Sequence, residues 1–214
     1  MEEAEEGGEE ADRGLEVLPA RAGVAGAGRE VGAVQLEGSV DEVRILSPDK
    51  DFGQCLRGAK VAIVDRIRRK ETREPEFVAA RGFVPAGLPD FLALTGDTAD
   101  GIPGIPGFGE KTAGLLLGEF GHLDAIPDDP TTWPRAVRGA AKLAATLAER
   151  RADALLFRTL ATLRVDAPID ASLDAIRFDG VPRDGLVTFA EGVAAPRLLE
   201  RVERWRRDPA PGGA

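Results

Sequence analysis

The sequence predicts an α/β region followed by a mostly helical region, and three observations support this fold class. Two short runs rich in β-branched residues, Val43–Leu46 and Val61–Val64, are typical of buried strands. From Leu88 onward the apolar residues follow a helical spacing. Between two of the predicted helices lies a segment dense in glycine and proline, residues 96–109, which indicates a tight turn with an exposed backbone.

The predicted elements follow one another without an internal repeat. Between the two strands, Asp49–Gly58 leaves room for a turn or two but not for a long crossover helix. The apolar spacing predicts helices over residues 74–81, 89–95, 110–120, 134–150, 152–164 and 196–206. We therefore predict four regions: a poorly ordered segment 1–39, an α/β region 40–86, a helical region 87–208 and a frayed tail 209–214.

The net charge of the chain is −9, which by itself argues against a nucleic-acid partner. Uncompensated acids are crowded at the N-terminus, however, and the rest of the chain is nearly balanced. Basic residues are concentrated in four stretches, Arg66–Lys70, Arg135–Lys142, Arg150–Arg158 and Arg201–Arg207. Taken singly, each stretch is typical of a solvated helix face, so charge alone does not decide the partner.

The single cysteine, Cys55, and the single histidine, His122, exclude an internal disulfide and a zinc site of the Cys/His type. Any metal is therefore expected to be a hard cation held by carboxylates. No apolar run approaches the roughly 20 residues that span a bilayer, and the acidic N-terminus is no signal peptide. We expect a cytoplasmic protein with no membrane partner.

Cys55 is expected to be buried, His122 to be a surface or capping residue, and Trp133 and Trp205 to be packing residues.

The glycine-proline segment leads into a helix whose apolar stripe is spaced i, i+3, i+4, i+7 and consists of Ala113, Leu116, Leu117 and Phe120. At its start, the free amides of Gly107–Lys111 and the Lys111 ammonium predict a site for one phosphate. Backbone amides read no bases, so binding is expected to be independent of sequence. Glu110 separates Gly109 from the lysine, which excludes a Walker A loop, and Thr112 at the third glycine position excludes a Rossmann fingerprint.

Two pairs of aspartates are candidate metal ligands. Asp49 and Asp51 follow the first strand and point the same way if the extended run continues. Asp97 and Asp100 are three residues apart, so they share one side of a helical turn. Brought together, the pairs form the kind of acidic cluster that holds two divalent cations about 4 Å apart for phosphodiester hydrolysis. The alternative is that Asp49 caps a helix and that Asp97 and Asp100 are turn residues.

The segment from Pro89 through Ala113 to Gly121 closely resembles the helix-hairpin-helix of the 5′–3′ exonuclease and flap endonuclease family, which includes the nuclease domain of bacterial DNA polymerase I. Ile45–Asp51 is similar to the family's strand and Asp-x-Asp motif. The resemblance implies a truncated parallel sheet of the PIN-like 5′ nuclease fold ahead of a helical H3TH region. It also implies two sets of site residues: the metal ligands Asp49, Asp51, Asp97 and Asp100, and the phosphate-gripping Gly107, Gly109, Lys111 and Thr112.

The same resemblance implies cofactors and partners. An intact family site holds two Mg²⁺ or Mn²⁺ ions, and a K⁺ ion lies against carbonyls of the hairpin. The expected substrate is double-stranded DNA with a 5′ end or flap, the expected partner is a DNA polymerase, and the expected location is the bacterial nucleoid.

The sequence also departs from the family pattern. The family's Glu-Ala-Asp-Asp motif is matched only by Glu10-Ala11-Asp12-Arg13, so Glu10 and Asp12 are candidate further ligands while arginine replaces the last acid. The family's first-strand aspartate and basic arch residues are not found. The sequence thus looks like a family domain without its front half.

Two functions follow from this pattern. The first is metal-dependent hydrolysis of DNA at 5′ ends or flaps, with incomplete catalytic equipment. The alternative is a non-catalytic module that binds double-stranded DNA independently of sequence. An unrelated α/β scaffold carrying such a hairpin is a third, weaker interpretation.

Overall fold

The computed structural model describes residues 36–166, 168, 170 and 172–206. The predicted segment 1–39 lies almost wholly outside the described residues, as do the candidate ligands Glu10 and Asp12 and the predicted tail. The chain divides into two compact units, of which the described parts are residues 36–172 and 173–206.

The first unit opens with a small mixed sheet of three strands in the order β1-β2-β3. Strand β1 (Val43–Leu46) runs parallel to β2 (Val61–Asp65), with Leu46 opposite Val64, and β3 (Lys70–Thr72) returns antiparallel to β2. A 3₁₀ helix, Lys50–Cys55, makes the short crossover between the parallel strands. The two apolar strands and the turn between them are confirmed. Strand β3 was not predicted because its three residues are polar and carry no apolar alternation.

Helices make up most of the described residues that follow β3. The first unit contains α1 (Glu74–Arg81), α2 (Leu88–Thr95), α3 (Glu110–Phe120), α4 (Ala140–Glu149) and α5 (Arg151–Ala161). The second unit contains α6 (Leu173–Ile176) and α7 (Arg183–Gly192). Shorter 3₁₀ turns lie at Pro85–Gly87, Leu123–Ala125, Pro130–Thr132 and Pro196–Arg201. The predicted fold class, a small α/β front followed by helices, is confirmed.

The helix predictions after residue 133 differ from the structure in several places. The helix predicted to begin at Pro134 begins at Ala140, because Gly139 adopts a left-handed conformation (φ 71°) that interrupts a right-handed helix. The last predicted helix is only a 3₁₀ turn to Arg201, after which Trp205 pairs with Val181 as an isolated parallel bridge. The helix predicted over residues 152–164 ends at Ala161, and helices α6 and α7 were not predicted.

Helix α2 is the centre of the first unit, since every residue from Leu88 to Leu94 is buried. The predicted stripe of α3 packs in the same core, with Ala113, Leu116 and Leu117 almost inaccessible to solvent. Among the described residues, no single helix is long and apolar enough to cross a membrane, although the bent pair 74–81 and 85–95 passes by length and composition alone.

Helix α2 carries a buried carboxylate that links it to its neighbours. The Asp90 side chain is 1% exposed, and its Oδ2 lies 2.9 Å from His122 Nδ1 at the end of α3. Asp90 Oδ1 lies 3.5 Å from a guanidinium nitrogen of Arg158 on α5, as an ion pair without hydrogen-bond geometry. The prediction for His122 captured its exposure but missed this partner. These two contacts of Asp90 hold α2 against the end of α3 and against α5.

The predictions for the other single residues are confirmed. Cys55 and Trp133 are buried, and Trp133 packs edge-on against Phe108 with ring centroids 6.5 Å apart. Trp205 is half-buried, and the Arg183 guanidinium lies 5.0 Å from its ring centroid.

Candidate metal centre and phosphate-binding hairpin

Asp51, the first acidic residue of the site, lies in the 3₁₀ helix that follows β1. Asp49 caps this helix, and its Oδ1 accepts a hydrogen bond of 3.0 Å from the Asp51 amide. Phe52 and Cys55 anchor the helix in the core. Gln54 fixes its far side, because its side-chain amide donates to Ala161 O at 2.9 Å. These contacts hold Asp51 in a defined position at the carboxyl end of the parallel strands.

The other two acids lie on the hairpin that follows α2. Asp97 and Ile102 exchange two backbone hydrogen bonds of 2.8 Å each, which closes a tight loop containing Asp100. Gly96, with φ 83°, makes the turn out of the helix. Asp97 is only 4% exposed, and its Oδ1 accepts from the Ala99 amide at 3.0 Å. The loop therefore orients the Asp97 carboxylate with its own backbone.

Asp51, Asp97 and Asp100 converge, with one carboxylate oxygen from each lying within 4.8 Å of the others. Asp51 Oδ1 and Asp97 Oδ2 are buried without a hydrogen-bond partner. Burial, the neighbouring Asp49 carboxylate and contact with Asp100 raise the pKa of Asp51 to about 6. Mutually repelling carboxylates at this spacing, among them the unpartnered Asp51 Oδ1, fit a hard divalent cation, whose charge relieves the repulsion.

A lysine supplies the positive charge that balances part of this cluster. Lys50 Nζ lies 2.7 Å from Asp97 Oδ2, as an ion pair that lacks hydrogen-bond geometry. The contact with the Lys50 ammonium lowers the pKa of Asp97, and contact with Asp97 in turn raises the pKa of Lys50. The lysine side chain is 56% exposed, so it can swing into solvent while Asp97 stays in place.

The second half of the hairpin leads into α3. The Ile105 amide donates to Leu94 O at 2.8 Å, which folds the segment back onto α2. Helix α3 begins after Gly109 without a side-chain cap, so its first amides have no capping acceptor. Gly107, Gly109 and Lys111 are exposed around this end, and Thr112 is half-buried. The Phe108 amide, which the sequence predicted to be free, donates to Ile105 O at 3.1 Å, so the arrangement is suited to one phosphate group through the remaining amides.

Comparison with known proteins places this architecture. Residues 83–184 match the family model described as 5′–3′ exonuclease, C-terminal SAM fold. DNA polymerase I of Rhizobium leguminosarum is 36% identical over 172 residues, which cover 79% of this chain and 16% of the relative. Flap endonuclease Xni of Cronobacter sakazakii is 33% identical over 128 residues, or 56% of this chain and 51% of the relative. The chain belongs to the 5′–3′ exonuclease family.

A solved structure agrees with the fold. The bacteriophage T5 flap endonuclease, solved as a complex with DNA and metal ions, superimposes with a TM-score of 0.51 at 22% identity. The match covers 79% of this chain and 59% of the T5 chain. This chain thus spans a little over half of the T5 enzyme and less than a fifth of the polymerase.

For this exonuclease-family chain, the structure brings together three of the four predicted aspartates. Asp49 lies beside the cluster as a helix cap, because the chain turns into a 3₁₀ helix at Lys50 instead of continuing extended. Its role as a ligand stays a prediction. Asp97 and Asp100 converge on a hairpin turn, where the sequence predicted a helical one.

Lys50 was missed because nothing local marks its partner. Its partner Asp97 is forty-seven positions away in the sequence. The available signal was its position between the acids Asp49 and Asp51, where a cation balances their repulsion.

Proposed function

We propose that this chain carries the metal-holding and DNA-gripping part of a 5′–3′ DNA exonuclease, which hydrolyses phosphodiester bonds at 5′ ends or flaps. One observation carries the proposal. The hairpin that presents Asp97 and Asp100 to the acidic cluster continues directly into the exposed amides and Lys111 at the start of α3. A duplex gripped at α3 is therefore held at a fixed offset from the carboxylates.

The residues of the cluster divide the chemical work. Asp51, Asp97 and Asp100 would hold a divalent cation. When bound, Mg²⁺ activates water and stabilises the leaving oxygen of a phosphodiester. Lys50 provides a positive charge next to this site, and the amides of the exposed residues Gly107, Gly109 and Lys111 bind a backbone phosphate without reading bases. Hydrolysis without sequence preference is the activity that this combination supports.

A cleavage assay tests the proposal directly. We expect slow hydrolysis of an end-labelled 5′-flap duplex that depends on Mg²⁺ or Mn²⁺ and is lost in the double variant Asp97→Asn, Asp100→Asn. The rate is expected to be low because the cluster contains three acids among the described residues, whereas fixed two-ion geometry needs further ligands. The double variant should still bind the duplex, since the phosphate site at α3 is unchanged.

The alternative is a DNA-binding module that does not cut. It is favoured by the ion pair between Lys50 and Asp97, which engages one of the three clustered acids with a protein cation. If the duplex binds but stays intact at every metal concentration, this alternative replaces the nuclease. Lys111→Glu should weaken binding under either function, irrespective of base sequence.

Further parts of the proposal concern the ions and partners. We propose Mg²⁺ as the natural ion with Mn²⁺ as a substitute, a K⁺ ion against the hairpin carbonyls, and a DNA polymerase as partner at the bacterial nucleoid. The potassium site is tested by comparing duplex affinity in KCl and in NaCl at equal ionic strength. Equal affinities would argue against it.

A further inference from the structure

A basic loop at one edge of the sheet has no part in the sites described above. It consists of Arg66, Ile67, Arg68 and Arg69 with Lys70, the first residue of β3. All five residues are exposed, and Ile67 is 81% exposed. The sequence favours a solvated helix face here, but the structure has a β-hairpin loop, closed by pairing of Asp65 with Lys70.

The basic loop is held in one conformation by the residue that precedes it. Asp65 Oδ1 accepts hydrogen bonds of 2.9 Å from the amides of Ile67 and Arg68. Asp65 Oδ2 forms an ion pair of 2.6 Å with the Arg68 guanidinium. The anchoring carboxylate thus neutralises Arg68. Arg66, Arg69 and Lys70 form no ion pair with any carboxylate in the described part of the chain, so three cations project from an ordered turn.

The basic loop lies at the same end of the parallel strands as the acidic cluster, namely their carboxyl ends. Strands β1 and β2 are parallel, and the Ser47 amide donates to Val64 O at 3.2 Å where both strands end. Asp51 follows Ser47 by four residues, and Arg66 follows Val64 by two. At about 3.5 Å per residue, Asp51 and Arg66 are therefore within about 25 Å of each other. One turn of duplex DNA is about 34 Å long, so a single duplex reaches both.

We propose that the basic loop is a second contact for the DNA backbone, in which Arg66, Arg69 and Lys70 bind phosphates and Ile67 lies against the sugars. Charge complementarity is the argument for this partner. On a chain of net charge −9, an ordered loop with three unpaired cations attracts a polyanion selectively. Contacts to phosphate and sugar read no bases, which matches the contact expected at α3. The inference rests on the proposed function, because it assigns a further contact to the same substrate.

The test measures binding of a blunt DNA duplex three helical turns long by fluorescence anisotropy, with the full chain in EDTA over a series of NaCl concentrations. The loop variant combines Arg66→Gln, Arg69→Gln and Lys70→Gln. The control variant, Arg197→Gln, Arg201→Gln and Arg204→Gln, makes the same charge change at exposed arginines of the second unit. A third variant, Arg66→Lys with Arg69→Lys, keeps the charge of the loop.

We expect the loop variant to bind roughly tenfold more weakly at moderate salt, and its log-log salt slope to be shallower by about 2 to 3, since each phosphate contact contributes about 0.9. The control variant and the lysine variant should bind like the unmodified chain. Unchanged binding by the loop variant, with Lys111→Glu still weakening it, would overturn the loop and leave the proposed function standing. Equal weakening by loop and control variants would reduce the effect to net charge and also overturn it. Failure of the unmodified chain to bind DNA would remove the proposed function itself.

Discussion

In the acidic cluster, side chains from two distant segments converge, whereas the helix-hairpin-helix is one continuous segment folded by its own backbone. The acids come from the turn after β1 and from the loop after α2, and they repel one another. The hairpin instead depends on glycines that let its backbone pack directly on α2. A hypothetical Cβ on Gly104 would lie 2.5 Å from Gly96 N.

The two sites therefore contribute differently to stability and to ion binding. Backbone contacts in the hairpin stabilise the fold, because the hairpin backbone cannot shift without moving α2 or α3. The charged Asp51 carboxylate is unfavourable until a cation binds, so the acidic cluster is expected to favour a bound cation. Substitutions in the hairpin should therefore act on stability, and substitutions in the cluster on ion binding.

The largest effect is expected for Gly104→Ala. The residue has φ 73°, and the added Cβ meets the backbone of Thr95 and Gly96 within 2.7 Å. Left-handed strain and overpacking together should destabilise the fold by about 4 kcal/mol. Thermal denaturation measures the loss. Gly101→Ala is the control, since Gly101 has φ 72° in the same hairpin but open space around its Cβ position. It should cost only about 1 kcal/mol, and equal losses would remove the packing argument.

The next largest effect is the loss of ion binding in the double variant Asp97→Asn, Asp100→Asn. We expect Mn²⁺ affinity, measured by calorimetry, to fall about 100-fold, equivalent to about 2.7 kcal/mol. The side-chain amide oxygen that replaces the Asp97 carboxylate can still accept from Ala99, so the melting temperature should barely move. Asp129→Asn is the matched control, because Asp129 caps Thr131 with the same geometry outside the cluster. A control that loses the same affinity would deny the cluster any special role.

A gain in affinity is expected for Lys50→Met. The ammonium competes with a divalent ion for Asp97 Oδ2, and methionine keeps the aliphatic length without the charge. Mn²⁺ should bind about tenfold more tightly, which corresponds to about 1.4 kcal/mol. Lys142→Met, at an exposed lysine on α4, should leave the affinity unchanged. Weaker binding by Lys50→Met would mean that the lysine positions Asp97 and does not compete for it.

The smallest effect is a stabilisation by Asp51→Asn in EDTA. The pKa of Asp51 in the folded chain, about 6, lies above its ordinary value of 3.8. The charged carboxylate therefore destabilises the fold above pH 6, and this penalty disappears as the pH falls towards about 4. Because the side chain is only half-buried, we expect a gain of about 1 kcal/mol at neutral pH after discounting for solvent screening. Denaturation at both pH values measures it. A gain that persists in acid would not come from charge.

Local patterns in the sequence were enough to predict the parts of this protein that depend on neighbouring residues. The apolar runs of β1 and β2 and the helix Glu110–Phe120 have the predicted bounds to within one residue. The hairpin was predictable because glycine, proline and a following apolar stripe all lie within one segment, so their geometry is set by bonds between near neighbours. Strand β3 escaped prediction because its pairing with β2, and not its composition, makes it a strand.

Residue types alone were enough to predict which groups could hold a cation or a phosphate, since carboxylates and helix-terminal amides have that chemistry wherever they lie. Which of these groups meet depends on the tertiary structure. Asp51 joins Asp97 and Asp100 while Asp49 becomes a cap, because the chain turns at Lys50 and Gln54 fixes that turn against the end of α5. The same packing brings Lys50 to Asp97, and strand pairing puts the basic loop at the same end of the parallel strands as Asp51. Long-range contacts of this kind depend on how helices and strands pack, and no local spacing records them.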